Sequence, residues 1–144
     1  MQVHQILRSR PKSDVITVAP GSSIADAARL LAERRIGAVV VTKDGKTPLG
    51  ILSERDIVRD LGRRGAVCMA ETVDALMTRN LISCAPSDSA DSVLEKMTAG
   101  RFRHMPVMDG AEMVGIISIG DVVAARISEL AMEKNALEGM IMGN

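Results

Sequence analysis

Apolar residues recur at two different periods along this chain, and the order in which the periods alternate is written twice. After a short amphipathic leader, Val3-His4-Gln5-Ile6-Leu7, which Pro11 is expected to end, an extended segment Val15-Ile16-Thr17-Val18 runs into Ala19-Pro20. Ser22 and Ser23 then open a helix, because Ile24, Ala27, Ala28 and Leu31 return at three- and four-residue spacing and so share one face. An unbroken apolar run, Ala38-Val39-Val40-Val41, is followed by Asp44-Gly45 and a returning apolar run over 49–52. Asp-Gly between two apolar runs predicts a hairpin. A helix from about Asp56 to Arg64 closes the unit.

The same order then returns. Val73-Asp74-Ala75-Leu76-Met77 repeats the leader, and Leu81-Ile82-Ser83-Cys84-Ala85-Pro86 repeats the extended segment. A helix opening near Ser89 turns Ala90, Val93, Leu94 and Met97 inward, and Met105-Pro106-Val107-Met108, the Asp109-Gly110 turn and a strand over 113–117 follow. Val73 follows Val3 by 70 positions, Pro86 follows Pro20 by 66 and Asp121 follows Asp56 by 65, so the order survives with only small drift. The pattern predicts an α/β fold of two β-α-β-β-α repeats, at 1–68 and 69–144, each with its leader. Gly62-Arg63-Arg64-Gly65 through Glu71 is the polar, turn-prone linker between them. Half of a 144-residue chain makes a marginal core alone, so the repeats are expected to share one. The last helix is longer than its twin, and Val123, Ile127, Leu130, Lys134, Leu137 and Ile141 step along it by four and three, a coiled-coil-like seam with one lysine in it.

The most informative stretch in each copy joins strand to helix: Gly50-Ile51-Leu52-Ser53-Glu54-Arg55-Asp56, and Gly115-Ile116-Ile117-Ser118-Ile119-Gly120-Asp121. Ser at an N-cap with a carboxylate three residues on is close to a capping box, which needs no ligand. The functional alternative starts from the same geometry. A carboxylate accepts through two oxygens and suits the adjacent hydroxyls of a ribose, while a helix N-terminus with a hydroxyl suits phosphate.

Composition narrows the options. Eighteen basic residues balance eighteen acidic ones, and Phe102 is the lone aromatic, so neither an overall field nor stacking platforms favour nucleic acid. Cys68 and Cys84 have no zinc-type ligand set around them and read as reduced thiols, so no metal is expected. No run is long enough to cross a membrane and none has signal-peptide form, so the cytoplasm is the expected address.

With Thr17-Val18-x-Pro20, Ile36-Gly37-Ala38-Val39-Val40-Val41 and the first Ser-x-x-Asp in one half, and Ser83-x-x-Pro86, Arg103-His104-Met105-Pro106-Val107 and the second Ser-x-x-Asp in the other, the chain resembles a stand-alone pair of cystathionine-beta-synthase (CBS) domains. The resemblance implies two repeats packed by their sheets about a pseudo-twofold axis, leaving two related clefts that take adenosine compounds such as AMP, ADP, ATP, NAD or S-adenosylmethionine. It implies that Asp56 and Asp121 hold ribose hydroxyls and that Ser53 and Ser118 hold ribose or phosphate. It places Thr17, Val18, Pro20, Ser83, Cys84 and Pro86, with Ile36, Gly37, Ala38, Arg103, His104, Met105 and Pro106, along the adenine pockets and their rims. It also implies a side-by-side homodimer.

The copies differ in ways that matter chemically. Arg55 offers charge-assisted bonds to a phosphate where Gly120 opens the backbone to close approach, so the clefts are expected to differ in affinity. His104 reads either as a packing residue or as a nucleotide contact. Arg35 and Arg101, at helix C-termini, read either as responses to the helix dipole or as cations of the clefts.

Three functions compete on this basis. A non-catalytic sensor of adenine nucleotides leads. A ligand-free scaffold that docks a partner protein through the last helix is the alternative. An enzyme is the weakest, because the chain has neither a Gly-rich phosphate loop with Lys-Ser/Thr nor a recognisable nucleophile constellation.

Overall fold

The structure is a computed structural model and describes residues 1–9 and 15–141; the expected stop at Pro11 lies outside them. The first repeat contains helix α1 (Val3–Ser9), strand β1 (Thr17–Val18), helix α2 (Ile24–Arg34), strands β2 (Ala38–Val41) and β3 (Gly50–Ser53) and helix α3 (Glu54–Arg64). The second contains α4 (Ala90–Gly100), β4 (His104–Asp109), β5 (Glu112–Ser118) and α5 (Ile119–Ile141). The mixed α/β class, the duplicated order and the long final helix match the expectation. α2 and α4 start as expected, since Ser23 Oγ accepts from the Asp26 N–H and Ser89 Oγ from the Ser92 N–H.

The second repeat departs from its twin at its first strand. β1 runs parallel to β2, and the Val40 N–H donates to the Ile16 carbonyl while the Thr42 N–H donates to that of Val18. In the second copy only an isolated bridge, Cys84 to Val107, remains. The residue equivalent to Val40 is Pro106, which has no N–H to give to Ile82. The other bond survives, from the Met108 N–H to the Cys84 carbonyl at 2.8 Å. Proline therefore cuts a strand to a single bridge.

The leaders cross over. α1 packs not on the repeat it precedes but on the second, where Val3 and Ile6 join Ala90, Val93, Met97, Met105, Val107, Ile117 and Val122 in one core. The second leader, a 3-10 turn at Val73–Ala75, sends Val73 and Met77 into the first core with Ile24, Leu31, Val39, Val41, Leu52 and Ile57. This exchange explains the glycine that opens each Ser-x-x-Asp strand. A Cβ on Gly50 would lie 2.5 Å from Met77 Sδ, and one on Gly115 would lie 3.0 Å from Leu7 Cδ1. Each strand is bare where the leader of the other half crosses it. The reciprocity is the twofold relation of the halves made visible in contacts.

The repeats do not share one core. Each closes its own with the borrowed leader, and a third, smaller cluster of Ala38, Val40, Ile51 and Met113, with Met108 and Ile116, lies between the two sheets. Exchange supplies the apolar surface that a half-chain lacks.

The linker is more ordered than its polarity suggests. α3 runs through Gly62 to Arg64, a 3-10 stretch covers Gly65–Ala70, and the Arg64 guanidinium pairs with Asp60 and Glu71 across the join. Cys68 is buried beneath it.

Candidate functional site

Both Ser-x-x-Asp junctions are capping boxes. The Ser53 N–H donates to Asp56 Oδ2 at 3.0 Å and the Asp56 N–H donates to Ser53 Oγ at 3.2 Å. The second copy repeats this at 2.9 and 3.1 Å, between Ser118 and Asp121. The cap satisfies two N–H groups at each helix start and fixes the carboxylate against the end of its strand.

Capping does not remove Asp56 from a site. A cavity of about 320 Å³ opens beside it, bounded by Ile51, Ser53, Arg55, Asp56 and Arg59 of the first repeat and by residues 78, 80–82 and 100–104 of the second. Asp56 commits Oδ2 to its cap, and its Oδ1 lies 3.9 Å from Arg59 Nη1. The site thus draws on both halves, with a helix N-terminus on one wall and the segment entering β4 on the other.

His104 stands where the halves meet. A Cβ on Gly37 would lie 3.0 Å from its Nε2 and 3.8 Å from Glu54 Oε1, so Gly37 is the gap through which the imidazole reaches the first repeat. Burial pushes the His104 imidazole below the usual histidine value, against the pull of Asp121, Glu54 and Asp56, while Arg103 adds to the depression. His104 is therefore neutral at pH 7.

Of the residues singled out in the sequence, the structure gathers Ser53, Arg55, Asp56, Arg103 and His104 around this cavity. Ser118, Gly120 and Asp121, with Ile36, Gly37 and Ala38, occupy the pseudo-symmetric positions. Among the described residues a Cβ on Gly120 would meet only Ser118 Oγ, at 3.6 Å. Thr78 follows Met77 as Arg8 follows Leu7, while Asn80, just before the extended segment, corresponds to Asp14, outside the described residues.

Other expected rim residues turn elsewhere. Cys84 and Met105 lie in the second core and Ala38 in the cluster between the sheets, so they do not line the cavity. Strand alternation is the cause: His104 faces the cleft, and the next side chain must face the core. Burial pushes the Cys84 thiol up to about 11, which leaves it protonated. Pro106 is buried opposite Ile116, and the Pro86 carbonyl accepts from the His4 N–H at 3.0 Å, which anchors α1. Thr17 and Ser83 are exposed, while Val18 packs against the first core and Pro20 is half-buried beyond it.

The sequence reading missed Ile51, Arg59, Thr78, Asn80, Leu81, Ile82, Gly100 and Phe102 as lining residues, and left Arg101 open between a cap and a cleft cation. Arg59 had a signal, since it stands four residues after Arg55 on one helix face. Arg101 is indeed the C-cap of α4, in the left-handed conformation at φ 56°, as is Arg35 for α2 at φ 53°. Among the described residues no group of three or more His, Cys, Asp or Glu side chains is placed to hold a metal ion.

Fold and cleft together define a duplicated α/β module with a ligand-sized cavity between its repeats. The family model for the CBS domain matches residues 3–63 and again 73–128, and the chain belongs to that family. A CBS-domain containing protein from Agrobacterium tumefaciens is 43% identical, with a TM-score of 0.82 over 88% of this chain and 99% of that one. The CBS domain pair of protein MJ0100, solved with 5-methylthioadenosine and S-adenosyl-L-methionine, is 27% identical, with a TM-score of 0.76 over 90% and 98% of the two chains. CBSX2, solved with AMP, is 25% identical, with a TM-score of 0.71 over 88% and 96%. Among curated proteins, CBSCBSPB2 of Arabidopsis thaliana is 33% identical over 88% of this chain, which spans only 23% of that longer protein. Among the described residues no helix is long and apolar enough to cross a membrane.

Proposed function

We propose that this chain is a non-catalytic regulatory module that binds an adenosine-containing nucleotide, of the AMP, ADP, ATP or NAD kind, and so reports energy or cofactor state. The carrying observation is the 320 Å³ cavity beside the Ser53–Asp56 junction, walled by both repeats and within the size range of small-ligand sites. The adenosine ligands of MJ0100 and CBSX2 support that class. In this reading the cap keeps Oδ2 and holds the carboxylate still, while Oδ1, 3.9 Å from Arg59 Nη1, accepts from ribose hydroxyls. Ser118, Gly120 and Asp121 do the same in the related cleft, with Gly37 and Ile36 beside it. Thr17, Val18, Pro20, Ser83 and Pro86 act behind the rims by setting where the wall segments run.

Binding changes what the module presents to other proteins, as a homodimer in the cytoplasm. A second reading, a ligand-free scaffold docking a partner protein, has one observation in its favour. The seam expected on α5 is open to solvent, with Ile127 63%, Leu137 59% and Ile141 83% exposed.

Calorimetric titration with AMP tests the assignment. Asp56→Asn keeps an acceptor for the Ser53 N–H and removes the charge, and Asp56→Ala removes both. A hydrogen bond to a charged group contributes about 1.5–3 kcal/mol, so Asp56→Ala should weaken binding about tenfold to a hundredfold. Unchanged affinity in both Asp56→Ala and Asp121→Ala would exclude these sites.

A further inference from the structure

We infer that the exposed seam of α5 is a contact between two copies of this chain, whose α5 helices lie antiparallel over residues 123–141. This rests on the homodimer reading above and assigns the surface that joins the copies.

α5 has two parts. The first belongs to the body of the molecule: Val122 and Ala125 are buried in the second core, and the Arg126 guanidinium pairs with Asp91 of α4 at 3.0 Å. Beyond that the helix goes on alone. From Leu130 to Ile141 every residue except Gly139 is exposed, and the family model stops at residue 128. A helical stretch this short is marginal in water unless something packs on it. Its ion pair, Lys134 to Glu138 at 3.9 Å, is exposed and contributes little, and Gly139 weakens the helix further.

The seam offers the missing packing. Val123, Ile127, Leu130, Leu137 and Ile141 are all exposed, on a stripe roughly 130° round the helix from Val122 and Ala125. A second helix can lie along that stripe without disturbing the core. The spacing is its own complement. When one α5 is reversed against another, Val123 meets Ile141, Ile127 meets Leu137 and Leu130 meets Lys134, and the twofold axis repeats each layer. Every apolar position of the seam then has a partner, and Ala131 faces Ala131 at the axis, where small side chains let the backbones close.

Charge selects the direction. Parallel helices would bring Lys134 onto Lys134 and set Glu133 against Glu138 twice. The antiparallel register lays each lysine stem over a leucine, with its ammonium between Glu138 of its own helix and Glu133 of the second copy. The two Glu133 carboxylates approach across the axis, each beside a lysine. A foreign partner would have to match a lysine set in an apolar stripe, and a second copy matches it by symmetry.

Light scattering from a size-exclusion column, with refractive-index detection because the chain has no Trp or Tyr, should give twice the chain mass. Leu130→Asp and Leu137→Asp each put an acid into the seam and should raise the dimer Kd about a hundredfold, while hydrogen exchange at Leu31 and Met97 in the two cores stays slow. Disulfides read the direction. Ile127→Cys/Leu137→Cys should cross-link two copies on oxidation and Leu137→Cys alone should not, since Cys68 and Cys84 are buried. Cross-linking by Leu137→Cys as complete as by the double variant would overturn the antiparallel pairing. A dimer unmoved by either aspartate would overturn α5 as the contact and leave the homodimer reading standing. A wild-type chain that is monomeric at every concentration would overturn both and leave the seam to another protein.

Discussion

Replacing Ile6 by alanine should unlock helix α4, more than eighty positions along the chain, and leave α2 closed. Ile6 is 2% exposed and lies in the core of the second repeat, against residues of α4, β4 and β5. Truncating a fully buried isoleucine removes its transfer free energy and leaves a void, which together cost about 2–5 kcal/mol. That is a large part of the stability of a domain this size. Urea denaturation should show the loss. Hydrogen exchange should place it, with faster exchange at Val93 and Met97 and none of the change at Ala27 and Leu31. Faster exchange in α2 alone would mean that α1 serves the repeat it precedes, and the crossed arrangement would be wrong.

Gly50→Ala is the complementary experiment, because it strikes the same crossing from the strand side. The added methyl would lie 2.5 Å from Met77 Sδ, 2.7 Å from its Cγ and 3.1 Å from its Cβ, so the side chain cannot escape by moving its tip. Met77 is 8% exposed and has little room to retreat. Overpacking of this kind costs about 1–3 kcal/mol. The twin substitution is milder, since a Cβ on Gly115 meets Leu7 at 3.0 Å through a terminal methyl. Gly50→Ala should therefore lower the thermal midpoint by more than Gly115→Ala. The double change Gly50→Ala/Met77→Ala should cost less than the two single changes added together, which a purely conformational role for Gly50 would not allow.

These two positions also show how far the sequence could be read. The repeat was visible because the leader, helix, hairpin and Ser-x-x-Asp kept their order, and each local pattern named its own element. Ser53 and Asp56 were legible twice over, as a cap and as a ligand pair, and the structure shows the cap with a cavity opening beside it. What the pattern could not carry was which half each leader serves. Val3 and Ile6 are apolar on one face whichever core receives them, and nothing local says that the matching surface begins at Ala90.

The core and cleft sides of β4 were mixed for a related reason. His104 and Met105 are neighbours in sequence, but a strand sends neighbouring side chains to opposite faces, so a rim drawn as a continuous run takes in residues that belong to the core. Pro106 had a clearer signal that went unused, since a proline beside a short parallel strand removes the N–H the strand needs. Arg59 was legible as chemistry only once the walls were in place, and Arg101 read equally well as a cap until then. One is a helix-face neighbour of Asp56 and the other a C-cap, and only the fold of the second repeat over the first brings them to one cavity.

The measurement that bears most directly on the account is an amide chemical-shift map of the full chain titrated with AMP. Shifts should saturate together at Ser53, Arg55 and Asp56 from the first repeat and at Asn80, Ile82, Arg101 and Arg103 from the second, because one ligand touches both walls. Shifts confined to α5, or none at saturating nucleotide, would show that the cleft beside Asp56 is not a nucleotide site.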